Sequence, residues 1–295
     1  MKKEQLVFLN NMYSKYIKNP QFHLDEMDQI RDAFGSEEWC EKVLDLVQDN
    51  FDGIISTNEI LDLLKMEATD EVLDIGSGFG GVSLAIAMRM KELKKIQTKR
   101  RAHGHVTGVE IQKDRCVFAR SLAKDLHVDS YVRFKCDYFP DTRQIKEQYT
   151  KIVSVLAILH FLEKEKTLER IGHLLAPGGK LVIDDYYTTS KILSPEDRAA
   201  LSSTISIPNL LTRDEYIALL EKSGVVIEDV IDLTDKWKEL CRQRVEILEN
   251  DRTNLVEKWG EKKTNNHIEF CRGVSNLYQT GIIHGFRIVG TKDKQ

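Results

Sequence analysis

Asp74 stands two residues before Gly76 in the stretch Glu71-Val-Leu-Asp-Ile-Gly-Ser-Gly-Phe-Gly-Gly81. Glycines at 76, 78 and 81 keep the G-x-G-x-x-G spacing, which lets backbone approach a bound group that a Cβ would exclude. The carboxylate adds something the spacing lacks. A dinucleotide loop does not require an acid inside the strand end, and one placed there can receive a cationic amine. Two further carboxylates close later apolar runs. Glu110 ends His105-Val-Thr-Gly-Val-Glu, where an acid can accept both hydroxyls of a ribose; the alternative is an ordinary exposed strand-end acid. Asp137 follows Tyr131–Cys136 and precedes Tyr138. It can accept an adenine amino group with the tyrosine ring beside the base, or simply serve as a turn aspartate before Pro140. His160 lies just past Lys151-Ile-Val-Ser-Val-Leu-Ala157, at the carboxyl end of a central strand, where open α/β sheets bind ligands. A histidine there can take a proton near neutral pH.

The elements that must place these groups are legible in the hydrophobic pattern. Val72, Leu73 and Ile75 have the length and branching of a buried strand, and Val82, Leu84, Ile86, Ala87 and Met90 supply the apolar face of the helix after it. Strands follow at 105–112, 131–136, 151–157, 180–187, 225–233 and 284–290, with helices between most of them. This predicts an α/β fold: a doubly wound, seven-stranded, mostly parallel sheet with an N-terminal helical lid over 1–65 and an inserted helical cap at about 188–216. The body is expected to run from 66 to 295. Thr212-Arg-Asp-Glu215 reads as a capping box opening a helix over 213–222. One long amphipathic helix is predicted from Asp235 to about Trp259, its Trp237, Leu240, Val245, Leu248 and Leu255 packing inward, and another over 266–279. The basic stretch Lys91–Arg101 reads as a solvated helix end, an acidic partner being the alternative.

The totals narrow the function. The 295 residues carry a net charge of −4, which argues against a general nucleic-acid binder. Five cysteines without a C-x-x-C pair suit a reducing cytosol, and the charged start and the lack of a long apolar run predict a cytoplasmic protein off the membrane. No H-E-x-x-H or clustered His/Cys spacing points to a metal.

Val72-Leu-Asp-Ile-Gly-Ser-Gly-x-Gly-Gly81 resembles the first motif of class I S-adenosylmethionine (SAM) methyltransferases, whose loop receives the amino-acid end of SAM. Ser154-x-x-x-Ile-Leu-His160, Ala176-Pro-Gly-Gly179, Ile183-x-Asp-Tyr186, the closing Gly285-Phe-x-x-x-x-Thr-Lys292, and Gln21-Phe-His-Leu-Asp-Glu26 with Phe34-Gly35 are similar to phosphoethanolamine N-methyltransferases and their relatives. The resemblance implies SAM as cofactor, S-adenosylhomocysteine (SAH) as product, and a small-molecule acceptor, first an amine nitrogen. It places Asp74, Gly76, Ser77, Gly78, Glu110, Ile111, Asp137, Tyr138 and Ala157 around SAM. His160 becomes general base or substrate orienter, and Phe22, Tyr16, Asp185 and Tyr186 face the acceptor.

The departures from that family bear on substrate. Phe22 stands where the family has a tyrosine paired with the histidine, so Tyr13 or Tyr16 would have to lock His160. The family's amine-holding aspartate falls at Leu156, and its phosphate-gripping arginine and tyrosine fall at Ser206 and Pro208. Phosphoethanolamine itself is thereby disfavoured; a thiol, hydroxyl or amino-acid acceptor stays open. So does a non-catalytic SAM-binding regulator. A nicotinamide dehydrogenase would leave Asp74 and Asp137 unexplained. A nucleic-acid methyltransferase would want an Asn/Asp-Pro-Pro-Tyr/Phe patch where this chain has Ala-Ile-Leu-His. If His160 titrates as an ordinary histidine, turnover should rise through about pH 6.5.

Overall fold

Alternate residues of the central strands feed two different cores, and this builds the sandwich. Val72, Val106, Val153 and Val182 point to one face, and Leu73, Ile75, Ile152, Leu181 and Ile183 to the other. The computed structural model describes residues 24–28, 36–96, 104–143, 145 and 148–294. Its strands are β1 (Glu71–Ile75), β2 (His105–Glu110), β3 (Val132–Cys136), β4 (Tyr149–Val155), β5 (Leu175–Tyr187), β6 (Val225–Asp232) and β7 (His284–Lys292). They form one seven-stranded sheet in the order β3-β2-β1-β4-β5-β7-β6. The first five strands in this order pair in parallel, and β7 runs antiparallel to both β5 and β6. The order reverses between β1 and β4, so the crevice past their carboxyl ends is the switch point at which doubly wound sheets bind ligands.

The helices are α1 (Ser36–Leu46), α2 (Gly53–Leu64), α3 (Gly81–Ile96), α4 (Lys113–Asp125), α5 (Lys164–Leu174), α6 (Pro195–Ile205), α7 (Arg213–Lys222), α8 (Thr234–Asn250), α9 (Arg252–Trp259) and α10 (Glu261–Gln279). One core lies under α1 to α4, the second under α5 and α7. The capping box of Thr212 and Glu215 is formed at the start of α7. A buried arginine ties the N-terminal helices to the sheet. Arg287 of β7 grips Asp184 of β5 with Nε and Nη2 at 2.7 and 2.8 Å, and reaches Glu59 and Ser56 of α2 at 2.9 and 2.8 Å. Such fork-to-carboxylate pairing fixes direction as well as distance.

Two expected helices differ. The single helix over 235–259 is two, because Asp251 leaves the helical conformation (φ −94°, ψ 8°) and its carboxylate accepts the Asn254 side-chain amide instead. The next helix starts at Glu261 rather than 266, immediately after Gly260 at φ 80°, a backbone state that glycine adopts without strain. α8 and α10 pack on each other and, with α6, enclose a third core of Trp237, Cys241, Val274, Leu277 and Tyr278. The insertion between β6 and β7 is therefore a helical cap with its own interior. Phe22, Tyr13 and Tyr16, and residues 97–101 of the basic stretch, lie outside the described residues.

Candidate active site

A single cavity gathers the glycine loop, the ends of β1, β2, β3 and β4, the 47–51 loop between α1 and α2, and the inner faces of α8 and α10. The loop needs its glycines. Gly76 holds φ 77°, and a Cβ there would come within 2.2 Å of the Ala157 Cβ; Gly78 holds φ 55° against the Asp49 carboxylate. The backbone N–H groups of Gly76 and Ser77 donate to the Val109 carbonyl, which joins the loop to the end of β2.

Three further carboxylates stand around this loop. Asp74 is 2% exposed and accepts the Ser83 hydroxyl at 2.6 Å. Its burial raises its pKa to about 7, against the hydrogen bonds from Ser83. Glu110 accepts the Gly78 and Gln112 N–H groups at 3.0 and 2.8 Å. Burial also raises its pKa, partly offset by the nearby Arg115 guanidinium. Asp137 is half-buried and accepts the Tyr138 N–H at 2.9 Å. Tyr138 is buried, edge-on to Phe161 at 5.8 Å. Arg115 reaches over the Phe79 ring and pairs with Asp49 at 3.1 Å, closing the 47–51 loop onto the domain.

His160 ends a short 3-10 turn, Ile158–His160, after Leu156, which sits at φ 49°. A non-glycine residue in that region is strained, and such strain concentrates at ligand sites. The His160 Nδ1 lies 3.4 Å from the Ser206 carbonyl, at the end of α6. A carbonyl can only accept, so Nδ1 carries the proton and Nε2 keeps its lone pair. Burial lowers the pKa to about 4, with Lys164 and Arg115 pushing the same way, so the ring is neutral at physiological pH. Behind the turn, Lys164 is 3% exposed and donates to the Leu159 and Phe161 carbonyls and to Asn209 at 2.9, 2.8 and 2.9 Å. Burial lowers its pKa and raises that of its partner Asp185.

All nine residues expected around the cofactor, and His160 and Tyr186, line this cavity. Asp185 does not. It is fully buried and accepts the Tyr216 hydroxyl at 3.0 Å and the Tyr186 N–H at 2.8 Å. The Asp185 carboxylate thus lies beneath the cavity floor rather than on its wall. The expected cap at 188–216 supplies Ile205, whereas α8 and α10 supply Cys241, Arg244, His267, Phe270, Cys271 and Val274. Sequence reasoning passed over these, because 267, 270, 271 and 274 repeat at the spacing of any buried helix face.

This arrangement has known counterparts. A model described as a methyltransferase domain matches residues 66–258. The chain is 22% identical over 226 residues to the O-methyltransferase resE of Aspergillus sclerotiorum, covering 76% of this chain and 78% of that one. It is 24% identical over 212 residues to phosphoethanolamine N-methyltransferase 3 of Arabidopsis thaliana, covering 71% of this chain and 40% of the plant protein. Among solved structures, phosphoethanolamine N-methyltransferase 2 of Haemonchus contortus, in complex with phosphomonomethylethanolamine and SAH, superposes with a TM-score of 0.71 at 19% identity, over 84% of this chain and 55% of that one. Geranyl diphosphate C-methyltransferase of Streptomyces coelicolor shares the fold with a TM-score of 0.64 at 16% identity, over 81% and 76%. The chain belongs to the methyltransferase-domain family of class I SAM-dependent methyltransferases. Among the described residues no helix is long and apolar enough to cross a membrane.

Proposed function

We propose that this chain moves the methyl group of SAM to a heteroatom of a small, largely apolar acceptor, and that the heteroatom enters uncharged. One observation carries the reading. The glycine cradle with three acids around it and the neutral His160 open into the same cavity, whose far wall is mostly apolar. The residues fit SAM. Asp74 offers a buried anion for the ammonium, Glu110 an acceptor for the ribose hydroxyls, and Asp137 with Tyr138 a place for adenine, while Gly76 and Gly78 leave the backbone open. When bound, SAM supplies an electrophilic methyl group on a sulfonium.

The chain's own part is positioning and proton handling. An apolar wall excludes water and holds the acceptor near contact distance, which supplies much of the rate in a two-substrate displacement. Nε2 of His160 accepts the proton that the nucleophile loses, and the Ser206 carbonyl holds the ring in that tautomer. A weakly basic amine nitrogen, neutral at physiological pH, is the first acceptor. A hydroxyl is the second, favoured because Leu156 replaces the carboxylate that would steady an ammonium. The test is a panel of weakly basic amines, strongly basic amines and phenols with methyl-labelled SAM. Transfer to the neutral classes supports the proposal, and transfer confined to strongly basic amines overturns it.

A further inference from the structure

The cavity is electrically divided. Its carboxylates, Asp49, Asp74, Glu110 and Asp137, all belong to the glycine-loop side. On the cap side, among the described residues, no Asp or Glu lines the wall; the polar groups there include His160, Tyr186, His267 and Arg244. The two arginines of the cavity differ in the same way. Arg115 is paired with Asp49. Arg244 stands on α8 one turn after Cys241, exposed at the rim, and has no carboxylate within ion-pair reach among the described residues. It donates one long hydrogen bond, from Nη2 to the Phe51 carbonyl at 3.3 Å, and lies 6.0 Å from the centre of the Phe51 ring. A guanidinium has five N–H donors in a planar fork matched to a carboxylate, so most of this one is unspent.

We propose that the methyl acceptor carries a carboxylate that Arg244 receives at the cavity mouth, its nucleophile reaching inward past an apolar or aromatic body. The proposal rests on the methyl-transfer reading above and names its substrate class. Among the described residues a cationic acceptor meets only like charge on the cap side, and a neutral one leaves Arg244 unused.

The test titrates SAH-loaded protein by calorimetry with three molecules of one shape: para-aminobenzoate, para-aminobenzamide and para-aminobenzylamine. The carboxylate should bind about tenfold more tightly than the amide, a modest charge-assisted contribution for a solvent-facing partner, and the cation least. Added salt should weaken the carboxylate alone. Arg244→Gln should bring carboxylate and amide level, Arg244→Lys should keep part of the preference, and SAH affinity should be the same in both. Equal binding of the three, preference for the cation, no binding of any at millimolar concentration, or a preference that survives Arg244→Gln each overturns the proposal. Failure of the wild-type protein to bind SAH at all is a different result: it removes the methyl-transfer reading itself and this proposal with it.

Discussion

Glu110 holds the glycine loop by its backbone: one carboxylate oxygen accepts the Gly78 N–H at 3.0 Å and the other the Gln112 N–H at 2.8 Å. The acid expected to read a ribose is thus also the strut between the β2 end and the loop. In Glu110→Gln one of those oxygens becomes an amide nitrogen, which cannot accept. SAM affinity should fall by about tenfold or more, since hydrogen bonds to charged groups contribute roughly 1.5–3 kcal/mol. Calorimetry with SAM measures it, and an unchanged affinity would mean that Glu110 touches neither the cofactor nor a loop that matters to it.

If Asp74 receives the SAM ammonium, cofactor binding is proton-linked. Its pKa of about 7 reflects burial, so part of the population is protonated below neutrality. A bound ammonium favours the carboxylate and lowers that pKa. SAM affinity should therefore climb as pH rises towards about 7 and level off above it, with proton release seen by titrating in buffers of different ionisation enthalpy. Asp74→Asn should bind weakly at every pH. Equal wild-type affinity at about pH 5.5 and 7.5 would sever Asp74 from the ammonium.

His160→Ala should leave SAM affinity nearly intact and lower kcat by about 10²–10⁴. The acid limb belongs at about 4, because burial lowers the pKa. Protonation removes the base, so the rate falls as pH drops through that value and is flat across neutrality. An ordinary histidine would instead give a limb near 6.5. A limb observed near 6.5 would show that His160 is solvated in the working enzyme, or that another group titrates.

Lys164 is a positioning residue for the turn that carries His160. Lys164→Met removes the ammonium that holds the Leu159 and Phe161 carbonyls and lowers the His160 pKa. Turnover should fall at least tenfold with SAM affinity kept, and the acid limb should move to higher pH. Solvation of a loosened ring would move the limb the same way, so retained SAM affinity and an unchanged circular-dichroism spectrum separate the two, and a stationary limb counts against the role.

The sheet and the cofactor side were legible because each rests on local chemistry. Val72, Leu73 and Ile75 announce a buried strand, Gly76 and Gly78 a positive-φ turn, and Thr212 with Glu215 a cap that the fold contains. Asp185 was ambiguous, because a strand-end acid beside Tyr186 reads alike whether it faces the cavity or the core; the Tyr216 hydroxyl that it accepts comes from 31 residues away. The cap wall was hidden for a related reason. Val274 packs into the cap interior while Arg244 lines the mouth, and the helical period is common to both. The break at Asp251 could have been suspected from Asn250-Asp251, two residues that compete with helical hydrogen bonds through their side chains.

The helices between β6 and β7 leave the sheet after Asp232 and return at His284, and the two ends are neighbours, with Asp232 paired to Phe286. A stretch whose ends already meet can change length and sequence without disturbing strand order. The α8 and α10 wall of the cavity and the glycine loop thus occupy separate stretches of one gene, free to diversify at different speeds. The same geometry makes 233–283 a natural unit to transplant onto another sheet of this class, carrying its wall of the cavity with it.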